Sequence, residues 1–311
     1  MSLMPLAFSR VRRIIGLGLL LLILGGCSVV RLAYDQAPTL LYWWVDGYVD
    51  VNDEQAPRLR EGIDRWFAWH RRTQLPDYLS LLARAQREIV EPTTGAAMCS
   101  WASEIEKRVD AALEGALPAS AELMLSLTPE QLRYLERRFR KKNEELRADF
   151  LQSDPAERSA KALERSQERF ESLYGRLDAA QRERLAELQA KSTFDPERWL
   201  VERRLRQRDI LQTLTAVSAA GRSGAERAAV AQQAQAAART IAAQWIRTPR
   251  ADYRAYQQRL LQDNCALAAT MHNAMTLAQR LHARAKLKGW EDDLRALVAS
   301  AAIDSGASTS R

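Results

Sequence analysis

Histidine and cysteine are scarce in this chain, three of each among 311 residues. His70, His272 and His282 are scattered, and no His-Glu-x-x-His stands among them, so zinc-peptidase chemistry is excluded. Cys99 and Cys265 lack the close Cys-x-x-Cys spacing of a redox or metal pair. A glycine loop that would cradle phosphate is missing, and so is a Gly-x-Ser-x-Gly elbow. With 39 Asp and Glu, carboxylate pairs fall on helix faces by chance, and none stands out. No catalytic residue, metal or cofactor is therefore expected. An enzyme acting on cell wall or lipid is the weakest reading of the chain.

Long apolar runs are also lacking. The longest, Ile14 to Leu24, is about half of the ~20 residues that span a bilayer. It follows Arg10, Arg12 and Arg13 and runs into Leu24-Gly25-Gly26-Cys27, which is the order of a secretory signal. The Leu-Gly-Gly-Cys ending resembles the bacterial lipobox. The resemblance implies that the Cys27 thiol is lipidated and that residues 1–26 are removed, leaving residues 27–38 as anchor and short tether. Ser28 follows the cysteine where, in that pattern, an Asp would hold the protein at the inner membrane. The outer membrane, periplasmic side, is thus the expected location, and the inner membrane is the alternative. Loss of the signal takes three arginines and no acids, so the formal charge falls from +7 to +4. That excess is too weak for a nucleic-acid footprint. The membrane is the expected contact, through the lipid.

With Cys27 assigned to the lipid, Cys99 and Cys265 remain in a compartment where disulfides persist. A bridge between them would staple the beginning of the fold to its end and contribute up to roughly 5 kcal/mol. Two buried free thiols are the alternative.

Strand signal is as poor as metal signal, because period-two alternation is not sustained and β-branched residues are sparse. Helical stripes recur instead. Met98, Ala102, Ile105, Val109 and Ala112 form one, and Leu132, Leu135, Phe139, Leu146 and Phe150 another. Ala156, Ala160, Leu163, Phe170, Tyr174 and Leu177 carry the 4-3 spacing of a coiled-coil seam. The expected fold is all-α, an elongated array with coiled-coil-like hairpins. Residues 39–220 form an N-terminal helical region and 221–303 a C-terminal one packing back on it, with a hinge over Ser218–Gly224. Asp154-Pro155, Asp195-Pro196 and Thr248-Pro249 read as helix starts, with the last long helix running from about Pro249 to Ala285 and a shorter one after Gly289. The tail over 304–311 is expected to be disordered.

Two stretches could carry binding. Leu40-Leu41-Tyr42-Trp43-Trp44-Val45 with Tyr48 fits either a membrane interface or, the preferred reading, a core packed on Trp66, Phe67 and Trp69. Arg133, Arg137, Arg138, Arg140, Lys141 and Lys142 could receive acidic segments or headgroups. Glu144, Glu145 and Asp149 make a solvated, balanced helix face the simpler account.

A motif recurs. Leu127-Thr128-Pro129-Glu130-Gln131 and Leu177-Asp178-Ala179-Ala180-Gln181 share one pattern, and Val51-Asn52-Asp53-Glu54-Gln55 is a looser copy. Each reads as a capping box, in which the cap side chain and the Gln three residues on satisfy each other's backbone N–H groups. Paired LTxxQ motifs in an exported helical chain also resemble the periplasmic Spy/CpxP family over residues 127–191. That family's proteins are cradle-shaped helical hairpins linked to envelope stress and to holding non-native proteins. Here only the first copy matches strictly, since Asp178 replaces Thr in the second. The lipobox, Leu41-Tyr42-Trp43-Trp44, Asn52-Asp53-Glu54-Gln55, Trp69-His70-Arg71-Arg72 and Leu75-Pro76 together resemble a family of uncharacterised proteobacterial lipoproteins, a likeness that carries location and helical fold but no activity. The expected function is a non-enzymatic protein-binding or scaffolding module for an envelope partner. A Spy-like holdase for non-native clients is the alternative.

Overall fold

The computed structural model describes residues 29–223 and 226–308, so the signal segment over 1–26 and Cys27 lie outside the described residues. The chain is all-α, and no strand occurs among the described residues. The helices are α1 (Val29–Val49), α2 (Gln55–Thr73), α3 (Leu75–Glu88), α4 (Gly95–Ser126), α5 (Pro129–Phe150) and α6 (Pro155–Tyr174). They are followed by α7 (Ala179–Ala190), α8 (Pro196–Gly221), α9 (Arg227–Ile246), α10 (Ala251–Asn273) and α11 (Leu277–Ser308).

Helix α4, 32 residues long, is the axis of the fold, and α2, α8, α9 and α10 all pack on it. Leu117, Ala121 and Met124 of α4 share one core with Leu132 and Leu135 of α5, Val217 of α8 and Ala234 and Ala238 of α9. This core crosses residue 221, so the helices after it complete the same body that the earlier ones begin. The alanine-rich face of α9 lets it lie close along α4. A second core gathers Tyr174, Leu177, Leu185, Met271, Met275 and Ala283. Cys99 and Cys265 form a disulfide with Cα atoms 5.4 Å apart, joining the start of α4 to α10.

Several boundaries differ from expectation. Residues 29–38 are not a tether but the first half of α1, with Pro38 inside it. Tyr34 there packs edge-on against Phe67 of α2, at 5.5 Å, and its hydroxyl meets His70 Nδ1 at 2.9 Å. This packing holds the segment helical. The hinge is shorter than expected, because α8 continues to Gly221. Gly221 is there for proximity: a Cβ at this position would stand 2.5 Å from the Leu125 carbonyl oxygen. Asp154 and Asp195 do cap α6 and α8, but Thr248 does not cap α10. Its hydroxyl bonds Glu202 Oε1 at 2.6 Å, because that nearly inaccessible carboxylate needs a donor, and α10 begins at Ala251. The last long helix breaks at Ala274–Thr276 rather than near Gly289. Residues 304–308, expected to be disordered, continue α11, since extending an existing helix is far easier than nucleating one.

Candidate functional site: two interlocked glutamine pairs and an apolar groove

The motif residues are built inward. Thr128 Oγ1 accepts from the Gln131 N–H at 3.2 Å while Gln131 Oε1 accepts from the Thr128 N–H at 2.9 Å. Asp178 and Gln181 repeat this at 2.8 and 3.0 Å. Asn52 and Gln55 do so at 3.0 and 3.2 Å. A fourth box, missed in the sequence, closes between Thr276 and Gln279, with Gln279 N–H donating to Thr276 Oγ1 at 3.2 Å and Thr276 N–H to Gln279 Oε1 at 2.9 Å. Met275-Thr276-Leu277-Ala278-Gln279 has the same pattern of apolar residue, cap and Gln, but it lies inside what reads as one continuous helix.

The four boxes pair off. Gln55 and Gln131 exchange amide hydrogen bonds of 3.1 and 2.6 Å. Each then donates its second amide hydrogen to the carbonyl two residues before the other's cap, Gln55 to Ser126 O and Gln131 to Asp50 O, both at 2.8 Å. Gln181 and Gln279 do the same, exchanging bonds of 2.7 and 2.9 Å and reaching Ala274 O and Arg176 O at 2.9 and 3.0 Å. Both Nε2 hydrogens and the Oε1 atom of every one of these glutamines are used. The boxes are therefore two pseudo-twofold locks, one in each core. Leu127 and Leu177 are fully packed in those cores. None of Leu127, Gln131, Leu177 and Gln181 offers a side chain to a ligand. Gly175, in the left-handed region at φ +80°, turns the chain out of α6 into the second lock.

Two histidines are also buried. His272 Nε2 donates to Glu91 O at 2.7 Å, and its Nδ1 accepts from Tyr174 Oη at 2.8 Å. Burial pushes the Tyr174 phenol up to about 12 and pulls the imidazole below its ordinary value, so a neutral pair sits there. His70 lies between the hydroxyls of Tyr34 and Tyr78, at 2.9 and 3.3 Å, and stacks on Trp66. Burial lowers its pKa as well. Both ring nitrogens are partnered in each case. No cluster of His, Cys, Asp or Glu able to hold a metal ion occurs among the described residues.

The basic run on α5 is laced with acids. Arg133 pairs with Glu130 at 2.6 Å, Lys142 with Glu145 at 2.6 Å and Arg140 with Glu136 at 3.9 Å. Arg137 and Arg138 lie over the rings of Tyr134 and Tyr48, while Lys141 points to solvent. Their aliphatic stems cover apolar surface while the charges stay wet.

An apolar concave surface lies away from the locks. Helices α1, α2, α3, α4 and the middle of α11 wall an apolar groove of about 830 Å³. Leu59, Ile63, Leu81, Val109, Leu113 and Leu123 form its sides, and Trp44, Trp66 and Trp290 contribute rings. Trp66 spends its N–H on Ala112 O at 2.9 Å. The one charged lining residue, Arg108, is held by its neighbours. Burial works against its charge, but bonds to Glu104 (3.0 Å) and Asp77 (3.1 Å) more than offset this and keep its pKa raised. The groove is thus electrically neutral and apolar, large enough for a ligand site. Ile105 and Val109, read as core from their spacing, are exposed on its wall, and so is Trp44.

A model of a family of unknown function, DUF6279, matches residues 47–224. The chain belongs to that family. The DUF6279 match takes in the whole first lock, one half of the second, and the α2, α3 and α4 walls of the groove, while Thr276–Gln279 and Trp290 lie beyond it. No curated protein and no solved structure matches the chain. None of the helices of the described residues is long and apolar enough to cross a membrane.

Proposed function

We propose that this DUF6279 protein is a lipid-anchored envelope lipoprotein that works as a non-enzymatic binding module, and that it holds the apolar face of a partner protein's helix in the α1–α4 groove. The observation that carries this reading is the groove itself: about 830 Å³, walled by helices, with its one charged side chain already neutralised. Helices commonly dock this way, laying an apolar face into an apolar groove. The lipobox at Leu24–Cys27 supports anchoring at Cys27, and Ser28 supports sorting to the outer membrane. A holdase that works through the LTxxQ-like motifs is less well supported, because their glutamines are engaged with each other.

The test places a photo-crosslinking residue at Ser120, which is exposed at the groove. In cells, the adduct is expected to be dominated by one envelope protein and to map to an apolar helical segment of it. It should vanish when the groove is filled by Ala112→Trp. Adducts no different from those formed at Lys161, on the exposed side of α6, would sink the reading. A broad set of non-native clients at Ser120 would replace it with the holdase.

A further inference from the structure

The outward side of α1 has no partner in the fold. Leu32, Gln36, Leu40 and Trp43 follow one another at steps of four, four and three, which places them in one row along the helix. Trp44 stands beside that row, with Ala33 and Thr39. Leu32, Leu40, Trp43 and Trp44 are 58–62% exposed. The acids of α1 are turned elsewhere: Asp35 pairs with Arg71 of α2 at 3.2 Å, and Asp46 accepts from the Val51 N–H at 2.8 Å. The row itself carries no charge. Two tryptophans and two leucines on an uncharged, exposed helix face are costly in water, and tryptophan is favoured at the membrane–water interface. The helix begins at Val29, two residues after Cys27. If Cys27 carries the lipid, this face cannot stand far from the bilayer.

We propose that α1 lies in the plane of the membrane, with Leu32, Leu40, Trp43 and Trp44 sunk in the boundary between headgroups and acyl chains. The partner is a phospholipid surface, bound without regard to headgroup charge because the face has none. Amphipathic helices lie in this way about 5–10 Å deep. The inference rests on the anchored reading above and adds to it a fixed orientation. The lipid then sets distance and α1 sets pose, and because Trp44 and Val30 also line the groove, its α1 edge is held at the membrane surface.

The test uses the full chain reconstituted in phosphatidylethanolamine–phosphatidylglycerol vesicles containing dibrominated phosphatidylcholine, which quenches tryptophan at acyl depth. Flotation of the vesicles reads anchoring, and quenching of the eight tryptophans reads the pose. The floated wild-type chain is expected to be quenched, and Trp43→Phe with Trp44→Phe to remove at least half of that quenching. Leu32→Lys with Leu40→Lys, which keeps every tryptophan and alters only exposed positions, is expected to lower it as well. A chain that floats without quenching, as when a second copy covers the face, overturns the inference and leaves the anchor standing. Quenching that survives both double variants does the same. A chain that does not float overturns both readings.

Discussion

The two glutamine locks are built from the same parts and are supported differently. In the first, Gln55 and Gln131 are both buried, and the starts of α2 and α5 meet inside the larger core. In the second, Gln181 is buried but Gln279 is half-exposed at the start of α11. What the second loses in burial it recovers from neighbours. Asn273 exchanges two hydrogen bonds of 2.9 Å with the backbone of Thr93, and His272 and Arg280 hold the carbonyls of Glu91 and Val90. The disulfide then fixes α10 to the start of α4. A buried amide pair is self-sufficient because water cannot compete for its bonds, whereas a half-wet one needs other restraints.

This contrast can be broken in order of expected effect. Removing the disulfide with Cys99→Ser and Cys265→Ser frees a loop spanning a separation of 166 residues and should cost up to about 5 kcal/mol, read as a fall in denaturant midpoint. An unchanged midpoint would mean the second lock needs no staple. Gln131→Leu is expected to cost about 3 kcal/mol, because it removes the reciprocal half of the α5 capping box and leaves the Thr128 N–H without its acceptor, breaks both amide bonds to Gln55 and takes the donor from Asp50 O. Gln279→Leu should cost about 1 kcal/mol in the disulfide-bonded protein, since water reaches the site. The same change should cost clearly more once the cysteines are replaced, and strict additivity of the two would show the locks to be independent of the staple.

Acid tests both histidine sites together. His70 and His272 have folded pKa values lowered by burial, so the unfolded chain takes up protons first as pH falls below about 6.5. Stability is therefore fully present above that pH and declines as pH drops towards the folded values. Melting temperature should fall between pH 7 and 5, and His70→Gln and His272→Gln should each flatten that slope. Thr128→Ala, which removes one cap and no amide pair, should cost only about 1 kcal/mol. A cost equal to that of Gln131→Leu would mean that the cap, not the amide pair, carries the lock.

Much of this was legible residue by residue. The stripes at Leu132–Phe150 and Ala156–Tyr174 are helices, although Leu177, placed on the second stripe by its spacing, is a buried loop residue ahead of the Asp178 cap; the boxes at Thr128 and Asp178 are caps, and Cys99 meets Cys265. The fourth box was hidden because Thr276 lies between two helical stretches with no proline or glycine to mark the break. Ile105 and Val109 had the spacing of core residues yet wall the groove, since periodicity shows which side chains share a face but not what covers it. Trp43 and Trp44, expected in the core, are exposed, while their neighbour Tyr42 is the buried ring, capped by Arg60 at 3.5 Å.

Local chemistry by itself determined that this chain would be helical, where five of its helices would begin, and that Cys99 and Cys265 lack the spacing of a Cys-x-x-Cys pair. Those properties depend on propensity, caps and counting, which act over a few residues. Only the tertiary structure decided that the capping glutamines would clasp one another in pairs across 76 and 98 residues of chain. It also decided that α1 would be a helix with a bare face, and that five helices would leave an apolar groove between them. Each of these depends on which surfaces meet, and that choice is made by the whole chain's packing.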